Sequence, residues 1–382
     1  MNILHISPSY KPAFIYGGTT VSISKLCESL VEIGHTVTVL STTANGQTEL
    51  PEQSKIPVDV SGVKVYYFRR LTKDHTHFSP ALLYFLWNHV KNYEVIHIHS
   101  WWNLVAVFAV LVCWLRGIKP ILAPRGMLSA YSFANENSIK KQLIHHSIGK
   151  FLLAKTILHA TAEAELLEGQ SIIPNWQGFV LPNILPLFAK KLPISPKKDT
   201  KKVNFLFLSR IDRKKGIEFM FAALANLPNA SYQCTIIGSC EENYLQELQT
   251  LAKQLQIEKN IHWAGRIEGD MRFQYYADAD IFMLLSHNEN FANVVIEALS
   301  QGTAVVISDK VGLATYVQAN NFGEICNLEI TEITEKLTNL MQNTEKLQNI
   351  RENSPTQIQK DFDMQTIAKQ YIEQYSTISS NS

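Results

Sequence analysis

The stretch Leu284–Asp309 reads LLSHNENFANVVIEALSQGTAVVISD. It predicts the end of an apolar strand (Ile281–Leu285), a helix over about Phe291–Ser300, then Gly302 and a second apolar strand (Thr303–Ile307). Glu289 and Glu297 bracket the helix start with seven residues between them. A loop at the carboxyl end of a parallel strand that feeds a helix amino terminus is where open α/β sheets bind phosphorylated ligands, because unpaired backbone N–H groups and the positive end of the helix dipole meet there. If the segment is all helix, eight residues at 1.5 Å each set the glutamates roughly 12 Å apart, about the length of a sugar–diphosphate–ribose unit. Carboxylates accept hydroxyl donors and repel phosphate, so one belongs at the sugar end and the other at the ribose end. Glutamates at this spacing also occur by chance on amphipathic helices. The small residue Ala292 beside the helix start, and Gly302 at its end, favour the binding reading.

Working outward, 382 residues exceed one ordinary α/β core and suit two domains of about 180 residues. A 46% hydrophobic content with 18% charged residues supports large buried cores. A net charge of +1 gives no sign of a nucleic-acid surface. The five cysteines are scattered and odd in number, which reads as reduced cytosolic thiols and not as a disulfide framework or zinc site. The chain starts directly in a strand, with no basic, then apolar, secretory leader. The apolar run Leu104–Leu115 is too short to span a bilayer and reads as a buried helix. The basic and apolar segment Lys140–Lys155 suits either a peripheral membrane contact or a solvated amphipathic face.

Strand and helix patterns alternate almost throughout, the mark of an α/β protein with parallel sheets covered by helices on both faces. Expected strands are Ile3–Ser7, Thr36–Ser41, Val63–Phe68, Val95–His99, Pro120–Ala123, Ile157–Thr161 and Gly178–Pro182, with Thr19–Ile33 the clearest helix. A proline- and lysine-rich stretch then reads as a linker. The expected division is an amino-terminal domain over 1–185, a linker over 186–202, a second domain over 203–362 and a terminal helix within 363–382. The second half restarts the pattern with Val203–Ser209, and the region Thr331–Tyr375 is helical, followed by a frayed tail.

Five other places at or beside strand ends carry chemistry-bearing residues. Gly17 and Gly18 precede a helix, which lets backbone approach a ligand, although a plain glycine turn reads the same way. They lack the spacing of a dinucleotide fingerprint. His97 and His99 lie two apart on one strand and share a face. No third ligand is visible in the sequence, so a cleft-lining or structural role is preferred to a metal, and His99 is nearer the strand's carboxyl end. Arg125, in Pro124-Arg125-Gly126-Met127-Leu128, can meet an anion or be a salt-bridged loop residue. Ser209-Arg210-Ile211-Asp212-Arg213-Lys214-Lys215-Gly216 offers two cations that can stabilise charge on a leaving group in a dry site. Arg213 and Lys214 are expected to be solvated surface charges. Arg266, after Trp263-Ala264-Gly265, suits a ligand contact or a surface loop.

Glu289-Asn290-Phe291-Ala292-Asn293-Val294-Val295-Ile296-Glu297-Ala298, with Gly302-Thr303-Ala304-Val305, resembles the E-x7-E signature of family-4 retaining glycosyltransferases of the GT-B architecture. The family's usual glycine is Ala292 here and its usual proline is Ala304. Ala292 is expected to crowd the donor sugar slightly. Arg210 and Lys215 resemble the family's diphosphate clamp, with Ser209 replacing a glycine. The Gly17-Gly18 loop and Gly34-His35-Thr36-Val37 resemble its amino-terminal pattern. Arg125 stands where many members have histidine, and its Pro-Arg-Gly-Met-Leu surroundings resemble a branch associated with surface-polysaccharide assembly.

The resemblance implies two Rossmann-like domains facing across a cleft, with a terminal helix returning to the first. It implies retaining, metal-independent transfer of a sugar from a nucleotide-diphosphate donor to a hydroxyl acceptor, with no cofactor beyond the donor as co-substrate. Glu289, Arg210, Lys215 and Arg125 are the implied catalytic set. Gly17, Gly18, Arg210, Lys215, Arg266, Asn290, Phe291, Ala292, Asn293 and Glu297 are the implied donor contacts, and His99 lines the cleft. The acceptor is expected to be a saccharide or lipid-linked saccharide, and the location cytoplasmic, peripheral at the inner membrane face. Alternatives are a non-catalytic two-domain sugar- or nucleotide-binding protein, and an epimerase or phosphorylase of the same architecture. An epimerase needs added acid and base residues and a phosphorylase a cofactor-bound lysine; neither signature is visible.

Overall fold

The computed structural model describes residues 1–129, 131–132, 148–188, 191–195, 202–267 and 269–380. Apolar runs of period two and amphipathic segments of period 3.6 alternate along it, and they fold into two compact units. The first holds Met1–Pro186 and Phe362–Ser382, the second Leu187–Asp361.

In the first unit the elements run β1 (Asn2–Ile6), α1 (Gly18–Glu32), β2 (Thr36–Thr42), β3 (Ala44–Asn45), β4 (Thr48–Glu49), β5 (Gln53–Val60), β6 (Val63–Phe68), α2 (Pro80–His89), β7 (Val95–His99), α3 (Leu104–Leu115), β8 (Ile121–Ala123), α4 (Lys150–Leu153), β9 (Ile157–Ala160), α5 (Glu163–Ile172) and β10 (Gly178–Val180). The sheet order is β10-β9-β8-β7-β1-β2-β6-β5. Its pairings are parallel except for β5, which runs antiparallel to β6 at the edge. Strands β3 to β5 escaped the reading of the sequence, because β3 and β4 are two residues each and β5 is largely exposed and interrupted by Pro57. The central strands β1, β2 and β7 are buried along nearly their whole length, as in sheets covered on both faces, although they carry threonine and histidine among the apolar residues. Leu104–Leu115 is a core helix, capped by Asn103, whose side chain accepts from the Ala106 N–H at 2.8 Å.

The second unit runs β11 (Val203–Leu208), α6 (Ile217–Leu224), β12 (Tyr232–Ile237), α7 (Glu242–Gln254), β13 (Ile261–Gly265), α8 (Met271–Asp278), β14 (Ile281–Leu284), α9 (Asn293–Ser300), β15 (Ala304–Ser308), α10 (Ala314–Ala319), β16 (Gly323–Cys326), α11 (Ile330–Gln342) and α12 (Thr344–Asp361). The chain then forms α13 (Met364–Ser380), which packs on α1 in the first unit. The all-parallel order β13-β12-β11-β14-β15-β16 is a doubly wound sheet whose direction of winding reverses between β11 and β14.

Three expectations are corrected. The stretch read as a linker belongs to the second unit where it is described. The Leu192 N–H donates to Gln301 Oε1 at 2.9 Å and the Ser195 N–H to Asp278 Oδ1 at 2.7 Å, while 189–190 and 196–201 lie outside the described residues. The tail is not frayed from residue 376, since α13 continues to Ser380. Helix α9 starts at Asn293, two residues later than expected, so Glu289 lies in the loop before it and the all-helical spacing of roughly 12 Å does not apply.

Candidate active site

The winding reversal of the second sheet sets its site. Loops leaving β11 and β14, neighbours in the sheet, emerge together at their carboxyl ends. The β11 loop turns through Arg213–Lys215 into Gly216, which takes the left-handed conformation at φ 64°. A Cβ there would sit 2.0 Å from the Leu285 carbonyl oxygen, so only glycine lets the two loops touch. They are also sewn together by the His287 N–H donating to the Lys214 carbonyl at 2.9 Å. This contact delivers Lys215 Nζ to Glu289 Oε1 at 2.5 Å, with both side chains mostly enclosed. Glu289 is fixed from its other side, where its N–H donates to the Lys310 carbonyl at 3.0 Å and its carbonyl accepts from the Gly312 N–H at 2.8 Å.

Helix α9 begins after Ala292, which sits at φ 68°, the left-handed region that costs a residue with a Cβ about 1–2 kcal/mol. The glycine usual in the related motif would take this conformation without that cost. Ala292 offers no side-chain cap to the helix start. One turn on, Glu297 is buried and bound by groups that the sequence reading missed. Arg272 on α8 donates to Oε1 through Nη2 at 3.1 Å and Nε at 3.2 Å, and the Tyr276 hydroxyl donates to Oε2 at 3.1 Å. Burial, and then the Glu297 carboxylate, push the Tyr276 phenol well above its ordinary value, which keeps it a donor. Phe291 is buried, while Asn290 and Asn293 are half-buried beside it.

The remaining basic residues part company. Arg210 is 71% exposed and faces Asp212 at 3.6 Å, so it is not in the enclosed pair with Glu289. Arg213 is exposed and pairs with Glu247, as a surface charge should. Lys214 is not the solvated charge expected. It is half-buried, and desolvation lowers its pKa, opposed by Glu289. Arg266 is exposed after β13, and Gly17 and Gly18 are exposed in the first unit, where Gly17 caps α1 at φ 72°.

In the first unit the winding reverses between β1 and β7. His5 pairs in register with His97, and His99 follows on the same face. The third histidine absent from the sequence pattern thus comes from β1. With His159 on β9 the four rings form one buried network, and His99 is fully enclosed, not lining an open surface. Arginine can only donate, so Arg125 Nη2 donates to His99 Nδ1 at 3.4 Å. His99 Nε2 then donates to His5 Nδ1 at 2.9 Å. On the other branch His159 Nε2 donates to the Leu181 carbonyl at 3.0 Å, His97 Nε2 to His159 Nδ1 at 3.2 Å, and the Tyr375 hydroxyl to His97 Nδ1 at 2.7 Å. Every ring is neutral in this assignment. Desolvation first, then the Arg125 charge, hold His5 at about 3, and the same causes hold His159 at about 3. The His5, His97 and His99 nitrogens lie within 4.8 Å of one another, a grouping that can hold a metal ion. The network does not fit one: the assignment leaves no lone pair unused, and an arginine without a carboxylate partner among the described residues stands beside it.

The fold of the chain is GT-B, two Rossmann-like α/β units each with a parallel sheet. Over its full length it superposes on all of sucrose-phosphate synthase from Thermosynechococcus elongatus with a TM-score of 0.80 at 19% identity. Over 99% of its length it superposes on all of Anabaena HepE, solved with UDP-glucose, with a TM-score of 0.75 at 19% identity. Among sequences, an uncharacterized glycosyltransferase of Methanocaldococcus jannaschii is 25% identical over 340 residues, 83% of each chain. The profile "Glycosyl transferases group 1" matches residues 189–357, and "Glycosyl transferase 4-like domain" matches 17–183. Both halves of the chain are thus similar to glycosyltransferase domains.

Proposed function

We propose that the protein is a retaining glycosyltransferase that moves a sugar from a nucleoside-diphosphate donor to a hydroxyl of a saccharide or lipid-linked saccharide in surface-polysaccharide or glycolipid assembly. The observation that carries this reading is the Lys215–Glu289 pair, enclosed where the loops after β11 and β14 meet. Without donor the two charges neutralise each other. With donor, Lys215 turns to the diphosphate and Glu289 accepts hydroxyls of the sugar. Arg210, exposed beside them, closes on the phosphates, and Glu297, pre-oriented by Arg272 and Tyr276, accepts the ribose hydroxyls. Asn290, Phe291, Ala292 and Asn293 bring backbone to the diphosphate ahead of α9, and Arg266, Gly17 and Gly18 are further donor contacts.

Transfer breaks the bond between the anomeric carbon and the phosphate oxygen while the acceptor oxygen bonds to that carbon from the same face. The leaving phosphate oxygen takes the acceptor's proton, so no protein base is needed. Fixed cations and the α9 amino terminus stabilise the growing negative charge, work that a metal would otherwise do.

The related structure solved with UDP-glucose favours a uridine donor. Incubation with UDP-, GDP- and ADP-sugars, with and without acceptor and with a chelator present, tests the proposal. Acceptor-dependent release of one nucleoside diphosphate, with the donor's anomeric configuration kept in the product, is expected. Release of none, or inversion, sinks it.

A membrane contact of the first unit also belongs here. Trp114, Leu115 and Phe151 are exposed large apolar side chains, Trp114 packs edge-on to Phe151 at 5.0 Å, and Lys155 stands 5.2 Å over the Phe151 ring. Residues 140–147 of the basic segment lie outside the described residues. Flotation with anionic vesicles is expected to retain the protein; none retained at low salt refutes the contact.

A further inference from the structure

We propose that Arg125 anchors an oxyanion subsite in the first unit, which selects a saccharide substrate bearing a carboxylate or phosphate. Arg125 stands at φ 59° just past β8, a left-handed backbone that a residue with a Cβ adopts only where the surroundings impose it. The surroundings do. The Gly126 N–H donates to Glu165 Oε1 at 2.8 Å, and Ser132 Oγ donates to the Gly126 carbonyl at 3.1 Å. Trp102 Nε1 is fixed on the Met127 carbonyl. The backbone at Gly126 and Met127 is thus held before any ligand arrives.

The guanidinium it holds is charged and has neutral partners: Asn183 Oδ1 on Nη1 and His99 Nδ1 on Nη2. Its Nε is buried with no partner. Glu165, in the first turn of α5, reaches the loop but is occupied elsewhere. Its Oε1 takes the Gly126 N–H, and its Oε2 takes the Thr161 N–H at 2.8 Å and the Thr161 hydroxyl at 3.2 Å. Arg125 has no carboxylate bonded to it among the described residues, and the buried histidines beyond it are neutral. A cation kept from water on one side and left without a counter-charge calls for an anion. The residue is half-buried, so a ligand can reach it from solvent. The planar fork matches a two-oxygen group, and the unpaired Nε supplies a further donor. Assigning that anion to the substrate rests on the transfer reaction proposed above; the subsite itself does not.

Thermal shift and calorimetric titration of the full chain with inorganic phosphate, glucuronate and neutral glucose test this, with UDP as an independent probe of the second unit. Phosphate or glucuronate is expected to raise the melting temperature while glucose does not. Phosphate alone points to a phosphorylated substrate, glucuronate alone to a uronic acid. Arg125→Gln is expected to weaken the anion at least tenfold with the UDP response intact, and Arg125→Lys to fall between. No anion response in a protein that binds UDP overturns the subsite and leaves the transferase reading standing. An anion response kept in Arg125→Gln also overturns it. A protein that responds to the anion through Arg125 but binds no nucleotide keeps the subsite and removes the transferase reading. Arg125→Gln that does not fold hands the decision to Asn183→Ala, which must weaken the anion without altering the UDP response.

Discussion

Glu289 and Glu297 look alike in sequence and are held in unlike ways. Glu289 pairs with a single lysine at 2.5 Å, a contact that a diphosphate can take over. Glu297 is gripped by Arg272 and Tyr276, so its position is fixed before ligand arrives. Glu297→Ala is therefore expected to weaken donor binding by about 10–100-fold, the worth of hydrogen bonds to a charged acceptor. Glu289→Ala is expected to lower kcat by about 100-fold, on the scale of other electrostatic stabilisers of a transition state. Steady-state kinetics with calorimetry separates the two, and equal loss of affinity in both variants refutes the division. Arg272→Ala leaves an enclosed carboxylate without its cation, and a loss of about 1–3 kcal/mol in denaturant titration is expected. Only part of this was legible in sequence. The two acids and Lys215 sit in a motif with fixed spacing. Arg272 and Tyr276 come from another helix, and His5 meets His97 across 92 positions of chain through strand pairing, so local spacing carries no trace of either contact.

At the scale of elements, the α6 start depends on the absence of one methyl group. Gly216→Ala places a Cβ against the Leu285 carbonyl at 2.0 Å and at positive φ, and a destabilisation of more than about 1 kcal/mol is expected, with loss of donor binding. Ala292→Gly runs the other way. It relieves the left-handed backbone at the α9 start and is expected to raise the melting temperature modestly, since a more flexible unfolded chain offsets part of the gain. The alternation of apolar runs and amphipathic segments made the parallel sheets readable, because strands covered on both faces are mostly apolar. Strand β5 was unreadable for the converse reason: it is an exposed edge whose partner, not its composition, makes it a strand. The start of α9 was misplaced because Phe291 is apolar enough to read as helical, and nothing local announces the left-handed turn at Ala292.

Across the whole molecule, the buried histidines of the first unit couple its stability to pH. His5 and His159 titrate near 3 in the folded protein, and His97 and His99 are lowered as well, by burial foremost. In the unfolded chain they titrate near 6.5. A lowered folded value means that their contribution is intact above about pH 6.5 and is lost as the pH falls towards 3. His5 and His159 each cost about 1.4 kcal/mol per pH unit in that window, and His97 and His99 act in the same direction. Unfolding scans from pH 8 to 4 are expected to show a steep fall beginning near pH 6.5, and a flat profile across that range contradicts the neutral network. Tyr375, which holds His97, belongs to the last helix, while His5 belongs to the first strand. One lobe is thus written in two separated passages of the gene, with the other lobe entire between them. A ribosome reading the message in order releases every residue of the inner lobe before it releases the closing helix of the outer one. A released chain truncated after Asp361 should hold a protease-resistant inner lobe and an outer lobe that lacks its last clasp.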